Sequence, residues 1–154
     1  MIRTVRIGAV ALGDRQPLAL IAGPDVIESE ILALRHAEAI AKVARRFDIP
    51  LIYKTSFDKA NRTSVKSYRG PGLKMGLSIL KKVKREVGVP VLSDVHCVSH
   101  VKPAAEVLDC LQVPAFLSRQ TDLLLAVGKA RKPVNVKKGQ FMAPWDMRAV
   151  VSKI

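Results

Sequence analysis

LIYKTSFDKANRTS, residues 51–64, joins a short apolar run to a long polar segment. The apolar run at 51–53 predicts a buried strand. The polar segment predicts a loop, which Arg69-Gly70-Pro71-Gly72 closes before a helical pattern begins. Lysine, arginine, hydroxyl and amide side chains crowd this loop, a composition that suits phosphorylated, polyhydroxylated ligands. We therefore expect a strand that opens at its carboxyl end into a ligand-binding loop.

The same unit of strand followed by helix recurs along the chain. Short apolar runs predict strands at 18–22, 51–54, 90–95, 109–113 and 134–137, the first of them a buried strand. Regular alternation with helices favours parallel strands joined by right-handed crossovers. Residues 5–13 precede this pattern and predict a hairpin. We expect one domain over residues 1–154, with the hairpin at about 1–14 and the alternating part from about 17.

Helical periodicity predicts helices at 27–47, 73–87, 101–107 and 121–129, and a further helix that opens at 144. The first of these helices has acidic residues at its start and basic residues at its end, as the helix dipole prefers. Its apolar, buried face should carry Ile27, Ile31, Leu34, Ala37, either Ile40 or Ala41, Ala44 and Phe47.

Six stretches resemble the 3-deoxy-D-manno-octulosonate 8-phosphate synthase family, in that family's order and spacing. They are KTSFDKANRTSVKSYRGPG at 54–72, LIAGP at 20–24, SDVH at 93–96, QVPAFL at 112–117, RQTDL at 119–123 and NVKKGQF at 135–141. The resemblance implies an α/β fold, the (β/α)8 TIM barrel, which takes about 250 residues. This chain has 154 residues and resembles the first half of the family. We therefore expect a partial barrel of about five parallel strands, truncated relative to the family.

The resemblance implies an aldol-like condensation of phosphoenolpyruvate with arabinose 5-phosphate. It assigns catalysis to Lys59, Asp94, His96 and Lys137. The two lysines would hold the anionic groups of the enolpyruvate. Asp94 and His96 are two residues apart on a strand end, point to the same side and could orient water or a hydroxyl. A structural hydrogen-bonded pair is the alternative for Asp94 and His96, and an exposed loop lysine is the alternative for Lys59.

The resemblance assigns substrate binding to Lys54, Ser56, Asn61, Arg62, Thr63, Gln112 and Arg119. Arg62 would clamp the sugar phosphate, with Asn61 and Thr63 beside the pentose. Lys54 ends a strand, where a buried cation without a partner is costly. Arg119 would reach the sugar phosphate of a neighbouring subunit, because the family forms a homotetramer. A surface arginine is the alternative for Arg119.

Asp25 stands where metal-dependent members of the family have cysteine and metal-independent members have asparagine. An aspartate would replace a sulfur ligand with a hard oxygen and shift the preference towards Mn or Mg. The family's other metal ligands belong to its second half. We therefore expect no metal ligands and no cofactor in this chain, whereas a divalent metal is compatible with the full-length family enzyme.

Composition narrows the classes of partner. The chain has 26 lysine and arginine residues against 13 aspartate and glutamate residues, a net charge of +13, which by itself favours nucleic acid. Aromatic residues make up only 5%, which leaves few platforms for base stacking, so we expect no nucleic-acid partner. Non-specific nucleic-acid binding stays an alternative. Part of the positive charge is explained by anionic substrates.

No apolar run reaches roughly 18 residues, and residues 1–6 lack a signal-peptide core. Cys97 and Cys110 lie in different predicted elements without metal-type spacing, which favours free thiols. We therefore expect a soluble, cytoplasmic protein with no membrane partner.

Two rival functions remain open at this stage. A related synthase that uses erythrose 4-phosphate usually carries Lys-Pro-Arg-Thr-Ser where this chain has Lys59-Ala60-Asn61-Arg62-Thr63-Ser64, and the asparagine favours the pentose phosphate. An inactive half-barrel is the other hypothesis. It would leave unpaired edges on its first and fifth barrel strands.

Overall fold

The computed structural model describes residues 3–154, so Met1 and Ile2 of the predicted hairpin lie outside the described residues. An antiparallel hairpin of β1 (Val5–Ile7) and β2 (Val10–Leu12) comes first. A sheet of five parallel strands follows, and neighbours in the sheet are neighbours in the chain. Its strands are β3 (Leu20–Ala22), β4 (Leu51–Lys54), β5 (Val91–Asp94), β6 (Cys110–Val113) and β7 (Val134–Val136). The predicted partial barrel behind an N-terminal hairpin is confirmed.

Four helices connect the parallel strands and a fifth follows the last strand. They are α1 (Glu30–Arg46), α2 (Leu73–Val87), α3 (Val98–Val107), α4 (Thr121–Lys129) and α5 (Met147–Val151). Short 3-10 turns lie at Ala115–Leu117, after β6, and at Pro144–Asp146, before α5. Within residues 3–154, no helix is both long and apolar enough to cross a membrane.

The two faces of the sheet are covered by different elements. Leu51 and Tyr53 of β4 belong to the large core between the sheet and the helices. Ile52, which lies between them, belongs to a small cluster that also contains Leu92, Cys110 and the hairpin residues Ile7 and Val10. Alternation along each strand thus divides the side chains between an outer face under the helices and an inner face. The hairpin covers the inner face near the beginning of the strands.

The start of α1 differs from its prediction. The helix begins at Glu30 rather than at 27, because Ser29 has an extended backbone and its side chain accepts a 3.2 Å hydrogen bond from the backbone N–H of Leu32. Such a contact satisfies one of the free N–H groups of a first helical turn and defines the helix start.

The buried face of α1 also differs. The buried helical side chains are the alanines at 33, 37, 41 and 44. Ile31 and Phe47, both predicted to be buried, are 63% and 64% exposed. Small side chains allow α1 to lie close to the sheet, and the hydroxyl of Tyr53 donates a 3.1 Å hydrogen bond to the carbonyl oxygen of Ala33. The face of α1 that is buried is therefore the one whose small side chains let the helix lie close to the sheet, not the one with the largest apolar side chains.

β3 is not the buried strand that the apolar run predicted. It begins at Leu20 rather than at 18, and Leu20 and Ile21 are 38% and 40% exposed. The reason is that β3 lies at the edge of the described sheet and pairs with β4 alone. α3 begins at Val98 rather than at 101, after an extended Cys97. The later strands agree with their predictions to within a residue at each end.

Candidate active site

A chain of polar side chains begins at the carboxyl end of β4. Lys54 Nζ donates a 3.1 Å hydrogen bond to Ser56 Oγ, and Ser56 Oγ donates a 2.6 Å hydrogen bond to Asp94 Oδ2. Lys54 Nζ also lies 4.0 Å from that carboxylate oxygen. Residues two apart on a strand share a face, which explains why Lys54 and Ser56 reach the same partner.

The network continues across β6 to β7. Gln112 Nε2 donates a hydrogen bond to Asp94 Oδ1, and Asn135 Nδ2 donates a 2.7 Å hydrogen bond to Gln112 Oε1. Asp94 is aligned with Gln112, and Gln112 with Asn135, in neighbouring parallel strands. Asn135 was not among the site residues predicted from the sequence. The sequence feature that could have identified Asn135 is its spacing of two residues from Lys137, which places both side chains on the same face of the strand.

Charges at this network shift the pKa values of its members. Burial opposes ionisation of Asp94, yet hydrogen bonds from Ser56 and Gln112 and the charge of Lys54 outweigh it, so its pKa lies below 3.8. Burial is the largest influence on Lys54 and lowers its pKa from 10.5 to about 8; the charge of Asp94 opposes this shift and that of Lys59 adds to it. Asp94 is therefore an anion at neutral pH, and Lys54 can exchange a proton near neutrality.

A cavity of about 420 Å³ opens above the network. Five residues of the predicted site line it: Lys59, Asn61, Asp94, His96 and Lys137. The remaining lining comes from the loop residues Asp58 and Ala60, from the turn after β6 (114–117) and from Gln140. The structure thus brings all four predicted catalytic residues to one cavity. Lys54, Ser56 and Gln112 do not line this cavity and reach it through Asp94.

Hydrogen bonds between its two ends hold the loop that carries Lys59 in place. The carboxylate of Asp58 accepts two hydrogen bonds, of 2.8 and 2.6 Å, from the guanidinium of Arg69. The backbone N–H of Lys59 donates a 2.7 Å hydrogen bond to the carbonyl oxygen of Arg69. A Cβ on Gly70 would lie 2.5 Å from the carbonyl oxygen of Phe57, so this close return of the chain requires glycine. The loop ends are therefore fixed, and Lys59 points into the cavity.

Lys59 forms an ion pair with Asp25, a residue whose position in the sequence had suggested only a metal ligand. Its Nζ forms an ion pair with Asp25 Oδ1, while Arg62 Nη1 lies 4.0 Å from Asp25 Oδ2. Partial burial opposes ionisation of Asp25, but the hydrogen bond and charge of Lys59 outweigh it and hold the pKa of Asp25 below 3.8.

His96 sits against an aromatic group rather than against Asp94. Its ring makes edge contacts with Phe57 and His100, with centroids 5.9 Å away in each case. Within residues 3–154, no hydrogen bond joins Asp94 to His96, and the buried Nδ1 atoms of both histidines have no partner. Burial is the main influence that lowers the pKa of His96 below 6.5. The structure therefore does not contain the hydrogen-bonded Asp94–His96 pair considered as an alternative.

Three of the residues predicted to bind the sugar phosphate do not line this cavity. Arg62 and Thr63 are exposed in the loop after Lys59, and Arg62 Nε donates a 3.1 Å hydrogen bond to the carbonyl oxygen of Tyr68. Arg119 is exposed and lines a separate cavity of about 270 Å³ together with Lys153.

The described residues do not assemble a metal centre by themselves. Across residues 3–154, no group of three or more histidine, cysteine, aspartate and glutamate side chains is placed to hold a metal ion. Asp25 faces the two cations Lys59 and Arg62. Cys97 and Cys110 are both free thiols; Cys97 is exposed and Cys110 is buried.

The chain is similar to known proteins of one enzyme family. Residues 3–154 match the model of the DAHP synthetase I family. A protein of Citrifermentans bemidjiense named 2-dehydro-3-deoxyphosphooctonate aldolase is 60% identical over 154 residues, which are 100% of this chain and 56% of that protein. Proteins of the same name from Geotalea uraniireducens and Geobacter sulfurreducens are each 58% identical, over 99% and 100% of this chain and 56% and 57% of their own lengths.

The chain therefore spans a little over half the length of the curated relatives that it matches. The family match covers the hairpin, the five parallel strands and the residues around the cavity alike. The chain therefore belongs to the DAHP synthetase I family.

Proposed function

We propose that this chain serves the condensation of phosphoenolpyruvate with D-arabinose 5-phosphate, which gives 3-deoxy-D-manno-octulosonate 8-phosphate and inorganic phosphate. The observation that carries the proposal is 60% identity over the whole chain to a relative named for a phosphorylated 2-dehydro-3-deoxyoctonate. The carbon skeleton of such a compound is the sum of an enolpyruvate and a pentose. The reaction class is that of a transferase acting by aldol-type condensation.

The bonds that change in this reaction suit a cavity lined by cations. C3 of phosphoenolpyruvate forms a bond to the aldehyde carbon of the sugar, and the aldehyde oxygen takes up a proton. Water adds at C2, and inorganic phosphate leaves from the same carbon. Both substrates are anions, so positive groups that draw them together lower the barrier. Lys59 and Lys137 line one cavity, which supports their assignment to the enolpyruvate.

Asp94 and His96 supply the polar groups that proton transfer needs. The lowered pKa of Asp94 leaves its carboxylate ionised at neutral pH, so it can only accept hydrogen bonds, from water or a substrate hydroxyl. The lowered pKa of His96 leaves its imidazole neutral at pH 7, able to donate from one nitrogen and accept at the other. We assign Asp94 to orienting the water or hydroxyl and His96 to moving the proton.

The sugar phosphate is assigned to the exposed part of the loop. Asn61 lines the cavity, and Arg62 and Thr63 follow it in the chain. An arginine can bind a phosphate through two parallel hydrogen bonds. Arg119 lies in a different cavity, so we assign it to the site of a neighbouring subunit in a homo-oligomer. We further propose that the protein is cytoplasmic. We also propose that residues 3–154 bind no cofactor.

Phosphate release by a chimera tests the proposal. This chain would be joined to the segment of the Citrifermentans bemidjiense relative that it does not cover. Release is expected only with both phosphoenolpyruvate and arabinose 5-phosphate, and less with erythrose 4-phosphate. A chimera carrying Lys59→Met, with its fold checked by circular dichroism, should lose at least about a hundredfold in rate, the effect of removing one well-placed charge-stabilising group. Faster release with erythrose 4-phosphate, or none with the pentose phosphate, would reject the substrate assignment.

A further inference from the structure

Asp25 occupies the position that an anionic ligand would take between two cations of the site. The ammonium of Lys59 is 11% exposed and points into the cavity, and its ion-pair partner is Asp25 Oδ1. Arg62 Nη1 lies 4.0 Å from the other carboxylate oxygen. One carboxylate thus faces two positive groups, as a carboxylate or phosphate of a substrate would.

The backbone around Asp25 is held in place by close contacts with β4 and the residues just after it. Gly23 has φ of +158°, and a Cβ on it would lie 2.0 Å from the carbonyl oxygen of Lys54. Val26 forms a parallel bridge with Ser56, and the backbone N–H of Ile27 donates a 3.0 Å hydrogen bond to the carbonyl oxygen of Ser56. The carboxylate is therefore presented to Lys59 by an anchored segment rather than by a free loop.

The side chain of Asp25 itself is much less confined than that of Lys59. It is 66% exposed, and its hydrogen-bonding and charge partners are the cations of the site. A rotation about its side-chain bonds can move the carboxylate into solvent without disturbing the anchored backbone. Lys59, enclosed by the cavity wall, has no comparable freedom. An entering anion can therefore replace Asp25 at Lys59.

We propose that Asp25 is an internal counter-ion that occupies the anion subsite of Lys59, so that an anionic ligand binds there only by displacing it. Asp25 then sets the affinity of the site for carboxylate and phosphate groups. It neutralises a lysine that would otherwise be an unpaired, largely buried cation in the empty site. The identity of the natural anion, phosphoenolpyruvate, rests on the proposed function, whereas the displacement itself does not.

Binding of inorganic phosphate to Asp25 variants tests this inference directly. Isothermal titration calorimetry would compare the unaltered protein with Asp25→Asn, Asp25→Glu and Glu28→Gln. Asp25→Asn removes the competing charge and should tighten phosphate binding about two- to fivefold, the range expected for one partly exposed ion pair. Asp25→Glu keeps the charge and should bind close to the unaltered protein. Glu28 is exposed in the same segment and forms no ion pair within residues 3–154, so Glu28→Gln makes the same change in net charge without touching Lys59.

Each outcome decides the inference. Tighter binding in Asp25→Asn alone supports it. Weaker or unchanged binding would show that Asp25 positions Lys59 for its ligand, and equal tightening in Glu28→Gln would show a general effect of charge; either result overturns it. No phosphate binding by Asp25→Asn, with circular dichroism showing an intact fold, also overturns it. Tighter phosphate binding by this variant in a chimera that does not turn over the two substrates would reject the proposed function but keep the inference.

Discussion

The side-chain amide of Asn135 donates its hydrogen bond to Oε1 of Gln112 and thereby leaves Nε2 of Gln112 to Asp94. An amide can present either an oxygen or an NH₂ group to a neighbour, so its orientation depends on its other partners. Asn135 supplies a donor, which favours the orientation in which Gln112 donates to the carboxylate. Asn135 on β7 therefore supports, through Gln112, a hydrogen bond that lowers the pKa of Asp94 on β5.

Replacing Asn135 by leucine should raise the pKa of Asp94. Without the donor from β7, Oε1 of Gln112 loses its partner and the amide is no longer held with Nε2 towards Asp94, which would weaken one of the hydrogen bonds that favour the charged carboxylate. The rate of phosphate release by the chimera should fall about tenfold, as expected for about 1.4 kcal/mol. Carboxyl chemical shifts of Asp94 followed against pH would check the first effect. An unchanged pKa of Asp94 would show that Gln112 keeps its orientation without Asn135.

Lys54 should make the stability of the protein depend on alkaline pH. Its pKa is 10.5 in the unfolded chain and about 8 in the fold. Below pH 8 both states are protonated and the burial penalty is complete. Between pH 8 and 10.5 the unfolded state binds more protons, so the contribution of Lys54 to the free energy of unfolding rises with pH, by on the order of 3 kcal/mol. Lys54→Met, which cannot titrate, lacks this rise.

Urea unfolding from pH 7 to pH 10 would measure the difference between Lys54→Met and the unaltered protein. Lys74→Met, at an exposed position of α2, supplies the baseline for other alkaline effects. The advantage of Lys54→Met should shrink as pH rises. A difference that is constant across this range would mean that Lys54 keeps an ordinary pKa in the fold.

Gly76 should not tolerate alanine, although it lies inside a helix where alanine is intrinsically preferred. A Cβ on Gly76 would lie 2.2 Å from Cβ and 3.2 Å from Cα of Phe57, a fully buried residue whose ring contacts His96. Gly76→Ala should lower the free energy of unfolding by about 1–3 kcal/mol through overpacking. Ser78→Ala, at an exposed position of α2, should change it by less than about 0.5 kcal/mol. Urea unfolding compares the two, and equal effects would contradict the clash.

Sequence patterns predicted most of the sheet because alternation is a local property. The runs at 51–54 and 109–113 are short, and each has a proline at one end, Pro50 before the first run and Pro114 after the second, so strand length and position follow from adjacent residues. The buried face of α1 was harder to predict. Ile31 and Ala33 both fit an apolar stripe at different phases, and only the closeness of α1 to Tyr53 decides between them.

Contacts between distant residues explain what the sequence could not predict at the site. Asp25 meets Lys59, and Asn135 meets Gln112, across separate strand and loop segments. Neither pair has a characteristic spacing along the chain, because the parallel strands between which they form are joined through whole helices. The motif around residues 54–72 pointed to Lys59 and Asn61, but the partner of each charge depends on how the strand ends align.

Arg62 should affect the sugar phosphate more than the enolpyruvate. Its guanidinium is held at one end by the 3.1 Å hydrogen bond to the carbonyl oxygen of Tyr68 and faces Asp25 at 4.0 Å, outside the cavity that Lys59 and Lys137 line. In the chimera, Arg62→Ala should raise KM for arabinose 5-phosphate by about tenfold or more, because hydrogen bonds between charged groups contribute about 1.5–3 kcal/mol. KM for phosphoenolpyruvate should change by less than about threefold.

Lys66→Ala supplies the control, because it removes an exposed cation from the same loop. It should alter neither KM value, which separates a phosphate clamp from general electrostatic attraction. Steady-state kinetics with each substrate varied in turn would measure both constants; an equal rise in the two KM values would place Arg62 at the anion subsite of Lys59 rather than at the sugar phosphate.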